Sequence, residues 1–329
     1  MRIDVSTGSR LHFGLICGTA ETGWKFGGIG MMLRHPAWQI SLQPARSQQE
    51  QIVASPEATS RTIEFLEQIR TRIPLPSVNV TISAEVPFHT GLGGGTQLGL
   101  ALAAAAELLS TQRASHDPYQ LAQLAQRAER SAIGTAGFRD GGCLIDHGFP
   151  ADPSNGRQVD RIAVPEDWRF VLVRPKEAQG LSGDQERSFF NQRIQMPELL
   201  VKQLAAQINS HLAVSLRDRR FDDFADGLES YGNAVGQFYA AEQGDVFAHP
   251  AVRVLVEQLR AQGIHGAAQS SWGPGICIPA RSISHAQLID SLIPASIDRT
   301  PLTTLISEPL NVGATLRTSS PELGPGHLA

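Results

Sequence analysis

Gly91, Gly93, Gly94 and Gly95 crowd into one turn of PFHTGLGGGTQLGLALAAAAELL, residues 87–109, and glycine at that density suits one chemistry in particular. Its backbone reaches left-handed dihedrals and lets a ligand approach the main chain where side chains would obstruct it. A helix that starts directly afterwards offers its unpaired first-turn amides, and its dipole adds attraction for negative charge. The stretch therefore reads as a phosphate site running from Gly91 through Leu92 to Thr96. The competing reading is a packed turn that binds nothing. Neither common nucleotide signature is present: no GK[ST] follows the glycines, and GLGGGT at 91–96 does not meet GxGxxG in its strand context.

The elements that must hold this turn are legible on both sides of it. Val78, Val80, Ile82, Ala84 and Val86 alternate with Asn79, Thr81, Ser83 and Glu85, the period of a strand with one apolar face. Pro87 ends it. Thr96 is the expected N-cap of a helix running to about Leu109, and Ala101 with Ala103 to Ala106 make that helix slim enough to be buried against a sheet.

Other groups able to do chemistry lie elsewhere. Alternation in a strand through Leu11, Phe13 and Leu15 puts Arg10 and His12 on one face. Gly23 to Gly30 reads as a glycine-rich loop carrying Lys25, after which Trp38, Ile40 and Leu42 resume a strand. Lys25 and Arg34 either meet an anion or sit in solvent. Pro118 opens a helix expected to run to about Gly134. In GTAGFRDGGCLID, residues 134–146, glycines bracket Arg139 and Asp140, and Cys143 to Ile145 forms a short buried strand. Asp140 is either a functional carboxylate or a turn residue paired with Arg139. After a strand at Arg169 to Val173, Arg174 and Lys176 stand at the root of a flexible segment, Gln179 to Glu186. Helical periods follow at about Pro197–Ala213, Phe221–Tyr239, Val252–Leu259 and Ala286–Leu292. Ser270 and Ser271 precede Trp272, which supplies either a flat wall for an aromatic ring or a core side chain.

Composition narrows the class. The 329 residues suffice for two domains; 41% are hydrophobic and 18% charged, as in a soluble globular protein. A net charge of −4 argues against a protein whose main role is to coat nucleic acid. Cys17, Cys143 and Cys277 are far apart, with no CxxC to suggest a disulfide framework or structural zinc. No basic leader and no apolar run of membrane-spanning length is present, so a cytoplasmic protein is expected.

Pro87 to Thr96 resembles the second motif, PxxxGLGSS, of the GHMP small-molecule kinase superfamily, with Gly94 and Gly95 where the kinases usually carry serines. SRLHFGLI (9–16), FGGIGMML (26–33), RSAIGTAGFRDGG (130–142) and QSSWGPG (269–275) resemble one branch of it, the beta-ribofuranosylaminobenzene 5'-phosphate synthases of methanopterin biosynthesis. The blocks occur in family order along nearly the whole chain.

The resemblance implies an α+β, two-domain GHMP-kinase-like fold. It comprises a ribosomal-S5-domain-2-like unit over residues 1–173, a ferredoxin-like unit over 174–319 and a disordered tail at 320–329. It further implies a homodimer and a decarboxylating transfer from phosphoribosyl pyrophosphate to 4-aminobenzoate or 4-hydroxybenzoate, with Mg²⁺ arriving largely on the sugar donor. On this reading Gly91 to Thr96, Lys25, Arg174 and Lys176 hold phosphate. His12, Gly28, Ser270, Ser271 and Trp272 form the aromatic pocket. Arg10, His12 and Asp140 are the catalytic candidates, Asp140 as orienter, base or metal ligand. The fold equally accommodates an ATP-dependent small-molecule kinase, and a non-catalytic RNA-binding or adaptor protein is the non-enzymatic alternative.

Overall fold

The structure is a computed structural model that describes residues 1–19, 21–47, 49–113, 117–127, 130–178, 195–271 and 273–319. Three sequence expectations, for the segment at 179–186, for Trp272 and for the tail at 320–329, lie outside the described residues.

The first sheet is organised by two long strands. β1 (Arg2–Cys17) and β2 (Lys25–Pro44) run antiparallel, with Arg10 opposite Met32 and His12 opposite Gly30. The other edge of β2 is shared by β4 (Val78–Ala84), which also pairs with the short β3 (Ile52–Val53), and by β5 (Cys143–Asp146), which pairs onward to β6 (Val159–Ile162). The expected loop at Gly23–Gly30 is thus mostly strand. Gly28 and Gly30 serve close packing: a Cβ on Gly30 would lie 2.2 Å from the Leu11 carbonyl oxygen, and one on Gly28 would lie 2.5 Å from that of Gly14. Glycine here serves close strand crossing and not a loop.

Helices α1 (Pro56–Arg70) and α2 (Gly94–Thr111) lie with this sheet. Ala101 and Ala103 to Ala106 are buried, as the slim helix requires. The helix expected from Pro118 to Gly134 is two: α3 (Pro118–Leu124) and α4 (Ile133–Asp140). Arg127, Arg130 and Ser131, which lie between the two helices in sequence, line one cavity.

The second sheet contains, in spatial order, β10 (Ser296–Ile297), β11 (Thr300–Ser307), β7 (Arg169–Pro175), β9 (Ile276–Ala280) and β8 (Ala268–Gln269), all antiparallel. With it go α5 (Glu198–Gln207), a π-helical turn (Ile208–Leu212), α6 (Ala213–Arg217), α7 (Phe221–Gln243), α8 (Pro250–Ala261) and α9 (Ile283–Leu292). The α+β, two-unit architecture is as expected, but sheet membership departs from the expected boundary. β7, assigned to the first unit by a division at 173, pairs wholly in the second sheet, and β12 (Thr315–Ser319), assigned to the second, pairs with β1. Backbone pairing outranks position in the chain.

Helix α7 couples the two halves. Its Tyr231 and Tyr239 hydroxyls donate to the carbonyls of Gly14 (3.1 Å) and Leu15 (2.9 Å) on β1. Gly14 sits at φ +138 beside an irregularity in the β1–β2 register between His12 and Leu15, and a Cβ there would meet Val235 of α7 at 2.6 Å. None of the described helices is long and apolar enough to cross a membrane.

Candidate active site

The glycine turn delivers α2 with an unobstructed start. Gly93, at φ +68, is the N-cap and the helix begins at Gly94. Thr96, expected as the cap, is one turn too late for it. A left-handed glycine has already closed the turn, and the threonine lines a cavity instead. Gly93 also makes room for Arg10: a Cβ would lie 3.1 Å from Arg10 Cβ and 3.2 Å from its Nε. The Arg10 amide donates to the Leu92 carbonyl at 2.9 Å, which ties β1 to the loop.

The cavity, about 220 Å³, opens where β1, the α2 start, the α3–α4 connection and α7 meet. Arg10, Arg127 and Arg130 reach it, and no Asp or Glu is among its described lining residues. Phe13, Val235 and the body of Tyr239 make part of its wall apolar. Three guanidiniums lining one cavity suit a ligand with several anionic oxygens, and the apolar wall suits a ring. From the second half, Ser271 Oγ accepts from Arg10 Nη1 at 2.9 Å, and Ser271 N donates to the His12 carbonyl at 2.7 Å.

His12 is 3% exposed and lines this cavity. Its Nε2 lies 3.1 Å from Ser131 Oγ, and its Nδ1 accepts from the Gly14 amide at 3.3 Å. Burial, then the charges of Arg10 and Arg157, lower its pKa from 6.5 to about 3. Behind Ser131 lies Asp146, 0% exposed. It is held by Arg157 through two bonds of 2.8 and 2.7 Å and by the amides of Ala132 (2.7 Å) and Gly148 (3.0 Å).

The structure therefore brings together part of the predicted set. Arg10, His12, Thr96 and Ser271 line the cavity. Ser270 stands behind it, receiving the His12 amide at 3.1 Å and donating to the Gly91 carbonyl at 2.7 Å. Gly28 lies against the imidazole, a Cβ there being 3.2 Å from His12 Cε1. Gly91 to Gly95 form the loop and helix start, and of the stretch Gly91 to Thr96 only Thr96 is among the cavity's lining residues.

Other candidates are elsewhere. Asp140 is at the far end of α4, about 12 Å of helix from its start. It is gripped by Arg139 at 2.8 Å and does not line the cavity. Lys25 is exposed at the beginning of β2, and its backbone bridges to Phe149. Arg174 donates to the Lys176 carbonyl at 3.1 Å, Lys176 is exposed, and neither lines the cavity. Arg34 pairs with Glu308 at 3.0 Å. Sequence reading passed over Arg127, Arg130, Ser131, Asp146 and Arg157. Arg130 and Ser131 do open the RSAIGTAGFRDGG block, and that position was the available signal.

The described fold and its site define the class. Residues 59–142 match the family of GHMP kinases N terminal domain. Homoserine kinase from Cytophaga hutchinsonii superposes with a TM-score of 0.63 at 14% identity, covering 96% of this chain and 97% of that one. The complex of MDDEF with MVAPP, AMPPCP and magnesium gives 0.64 at 14%, covering 97% and 99%. The chain has the GHMP kinase fold. Within that class, the Beta-ribofuranosylphenol 5'-phosphate synthase of Methanothermobacter thermautotrophicus is 26% identical over 297 residues, 84% of this chain and 88% of the relative. Over most of its length this chain is therefore similar to the beta-ribofuranosylphenol 5'-phosphate synthases, on the GHMP kinase fold.

Proposed function

We propose that this protein condenses phosphoribosyl pyrophosphate with 4-hydroxybenzoate or 4-aminobenzoate, releasing pyrophosphate and carbon dioxide, a step of methanopterin biosynthesis. The observation that carries the reading is the convergence of Arg10, Arg127 and Arg130 with Thr96, in the first turn of α2, on one cavity. Phosphate and pyrophosphate are the most highly charged parts of the donor, and these donors suit them. The ring carbon bearing the carboxylate attacks the anomeric carbon, and the carbon–oxygen bond to pyrophosphate breaks. The carboxylate then leaves as carbon dioxide, and the electron pair of that bond restores the aromatic ring. No proton has to be removed from the attacked carbon. The protein's task is to place a ring face against the sugar and to stabilise a departing polyanion.

Mg²⁺ belongs to the proposal as a counter-charge carried by the donor. Among the described residues no group of three or more His, Cys, Asp or Glu could hold a metal ion. Pyrophosphate oxygens would be its ligands, in the manner usual for Mg²⁺ on phosphates. A kinase reading draws on the fold neighbours, but Gly94 and Gly95 replace the serines of the kinase loop. An RNA-binding or adaptor role draws only on the S5-like likeness, against a net charge of −4. The direct test is the appearance of inorganic pyrophosphate when donor and either benzoate are mixed with the protein. Pyrophosphate absent under those conditions, with ATP consumed in the presence of a small alcohol, would replace the proposal with the kinase.

A further inference from the structure

We infer that Ser131 and Asp146 are positioning residues that hold His12 as a neutral imidazole with its proton on Nε2, so that the cavity meets an uncharged ring instead of an acid or a base. This deepens the synthase reading of the same cavity and rests on it for its functional consequence.

The geometry fixes the protons one after another. Asp146 is fully buried and receives both bonds from Arg157 and the amides of Ala132 and Gly148, so it is an ionised acceptor. Ser131 Oγ lies 3.5 Å from Asp146 Oδ2, the longest link of the chain, and a carboxylate can only take that hydroxyl's single proton. The serine oxygen then has two acceptor positions left. One takes the Ile133 amide at 3.2 Å, and the other faces His12 Nε2 at 3.1 Å. Nε2 must therefore carry a hydrogen. Nδ1 faces the Gly14 N–H at 3.3 Å and must not. An imidazolium would set two N–H groups against each other at Nδ1, so the neutral ring is required before any electrostatics are considered. Among the described residues, the charged or titratable groups around it are Arg10 on its own strand, Asp146 with Arg157 behind Ser131, Arg127 and Arg130 from the α3–α4 connection, and Tyr239 from α7. Cations predominate, and together with burial they push in the same direction.

Two consequences follow. Ser131 has every hydrogen-bonding position committed, so it is no nucleophile although it lines the cavity. The cavity's positive charge comes from guanidiniums, which do not titrate near neutrality. A fourth cation at His12 would hold more tightly the carboxylate that has to leave as carbon dioxide.

The test uses uniformly ¹⁵N-labelled full-length protein, with imidazole ¹H–¹⁵N correlations followed from about pH 5.5 to 8.5 and His12 assigned by its loss in His12→Asn. The expected result is a signal that does not titrate, with Nε2 protonated and Nδ1 bare. In Ser131→Ala the signal should acquire the other tautomer or begin to titrate. Its kcat for carbon dioxide release should fall about 10-fold while KM for phosphoribosyl pyrophosphate stays within roughly 2-fold, and Ser131→Thr should restore both. A native His12 that titrates near its ordinary 6.5, or carries its proton on Nδ1, overturns the inference. So does a Ser131→Ala protein indistinguishable from wild type in signal and kcat. If Ser131→Ala does not fold, the native titration decides alone. A native signal as expected in a protein that releases no carbon dioxide supports the locked imidazole and overturns the synthase reading.

Discussion

The hydroxyl of Ser270 donates to the carbonyl of Gly91 at 2.7 Å, and a Cβ added to Gly91 would stand 2.2 Å from the Ser270 carbonyl oxygen. These two glycine-rich turns come from opposite halves of the chain, 179 residues apart, and meet backbone to backbone. The contact keeps the glycine loop registered against the segment that presents Ser271 to Arg10. Gly91 is also at φ +83, where a side chain is strained whatever the space. Gly91→Ala should therefore lose at least about 2 kcal/mol of stability in urea unfolding. A midpoint unchanged from wild type would mean that the two turns are not tightly docked.

Gly93 tests the path of Arg10 across the helix start. An alanine there places a methyl group 3.1 Å from Arg10 Cβ and 3.2 Å from Nε, at φ +68. The guanidinium must give way, weakening its 2.9 Å bond to Ser271. Calorimetric affinity for phosphoribosyl pyrophosphate should fall about 10-fold in Gly93→Ala, roughly 1.4 kcal/mol. Unaltered affinity would remove Arg10 and the loop from donor binding.

The arginines of the α3–α4 connection and the cations expected from sequence make opposite predictions. Arg130→Ala should raise KM for the sugar donor about 10-fold, since it removes one of the cavity's guanidiniums. Asp140→Asn and Lys176→Ala, which alter side chains outside the cavity lining, should each remain within roughly 2-fold of wild type. Loss of activity in Asp140→Asn with Arg130→Ala unaffected would restore the sequence-based site.

Acid stability follows from His12. Its folded pKa is depressed to about 3, while in the unfolded chain it is ordinary. Below about 6.5 the unfolded chain takes up a proton that the folded chain refuses, so this stabilising contribution is whole above 6.5 and is lost as pH falls toward 3. The loss approaches 1.4 kcal/mol per pH unit at its steepest, by the usual conversion of about 1.36 kcal/mol per unit. Wild type should therefore lose stability between pH 6 and 4 faster than His12→Asn by about 1 kcal/mol per unit. Parallel profiles would mean that the native imidazole is free to protonate.

Legibility in the sequence followed periodicity. The β4 strand, the alanine-rich α2, the helices of the second half and the shared face of Arg10 and His12 were all carried by spacing along the chain. Glycine misled at Gly28 and Gly30, because the same residue that loosens a loop also lets strands cross closely, and only the partner backbone distinguishes them. The Ser131–Asp146–Arg157 array could not be found that way. Its members lie 15 and 11 residues apart on a connection, a strand end and a loop, and β5 pairing with β2 is what folds them together. Asp140 stands in a glycine setting, yet the length of α4 carries it to the end of the helix away from Ser131.

The fate of the benzoate carboxylate distinguishes the proposed synthase from a kinase most directly. Carboxyl-labelled 4-hydroxybenzoate or 4-aminobenzoate, incubated with the protein and Mg²⁺, should release labelled carbon dioxide only when phosphoribosyl pyrophosphate is present, because decarboxylation needs the new carbon–carbon bond. ATP should not substitute for the sugar donor, and Arg10→Ala and His12→Ala should each lower the rate at least about 10-fold while remaining folded. Label retained in the acid under every donor, with phosphate passing from ATP to a small alcohol, would contradict the account and make the protein a kinase.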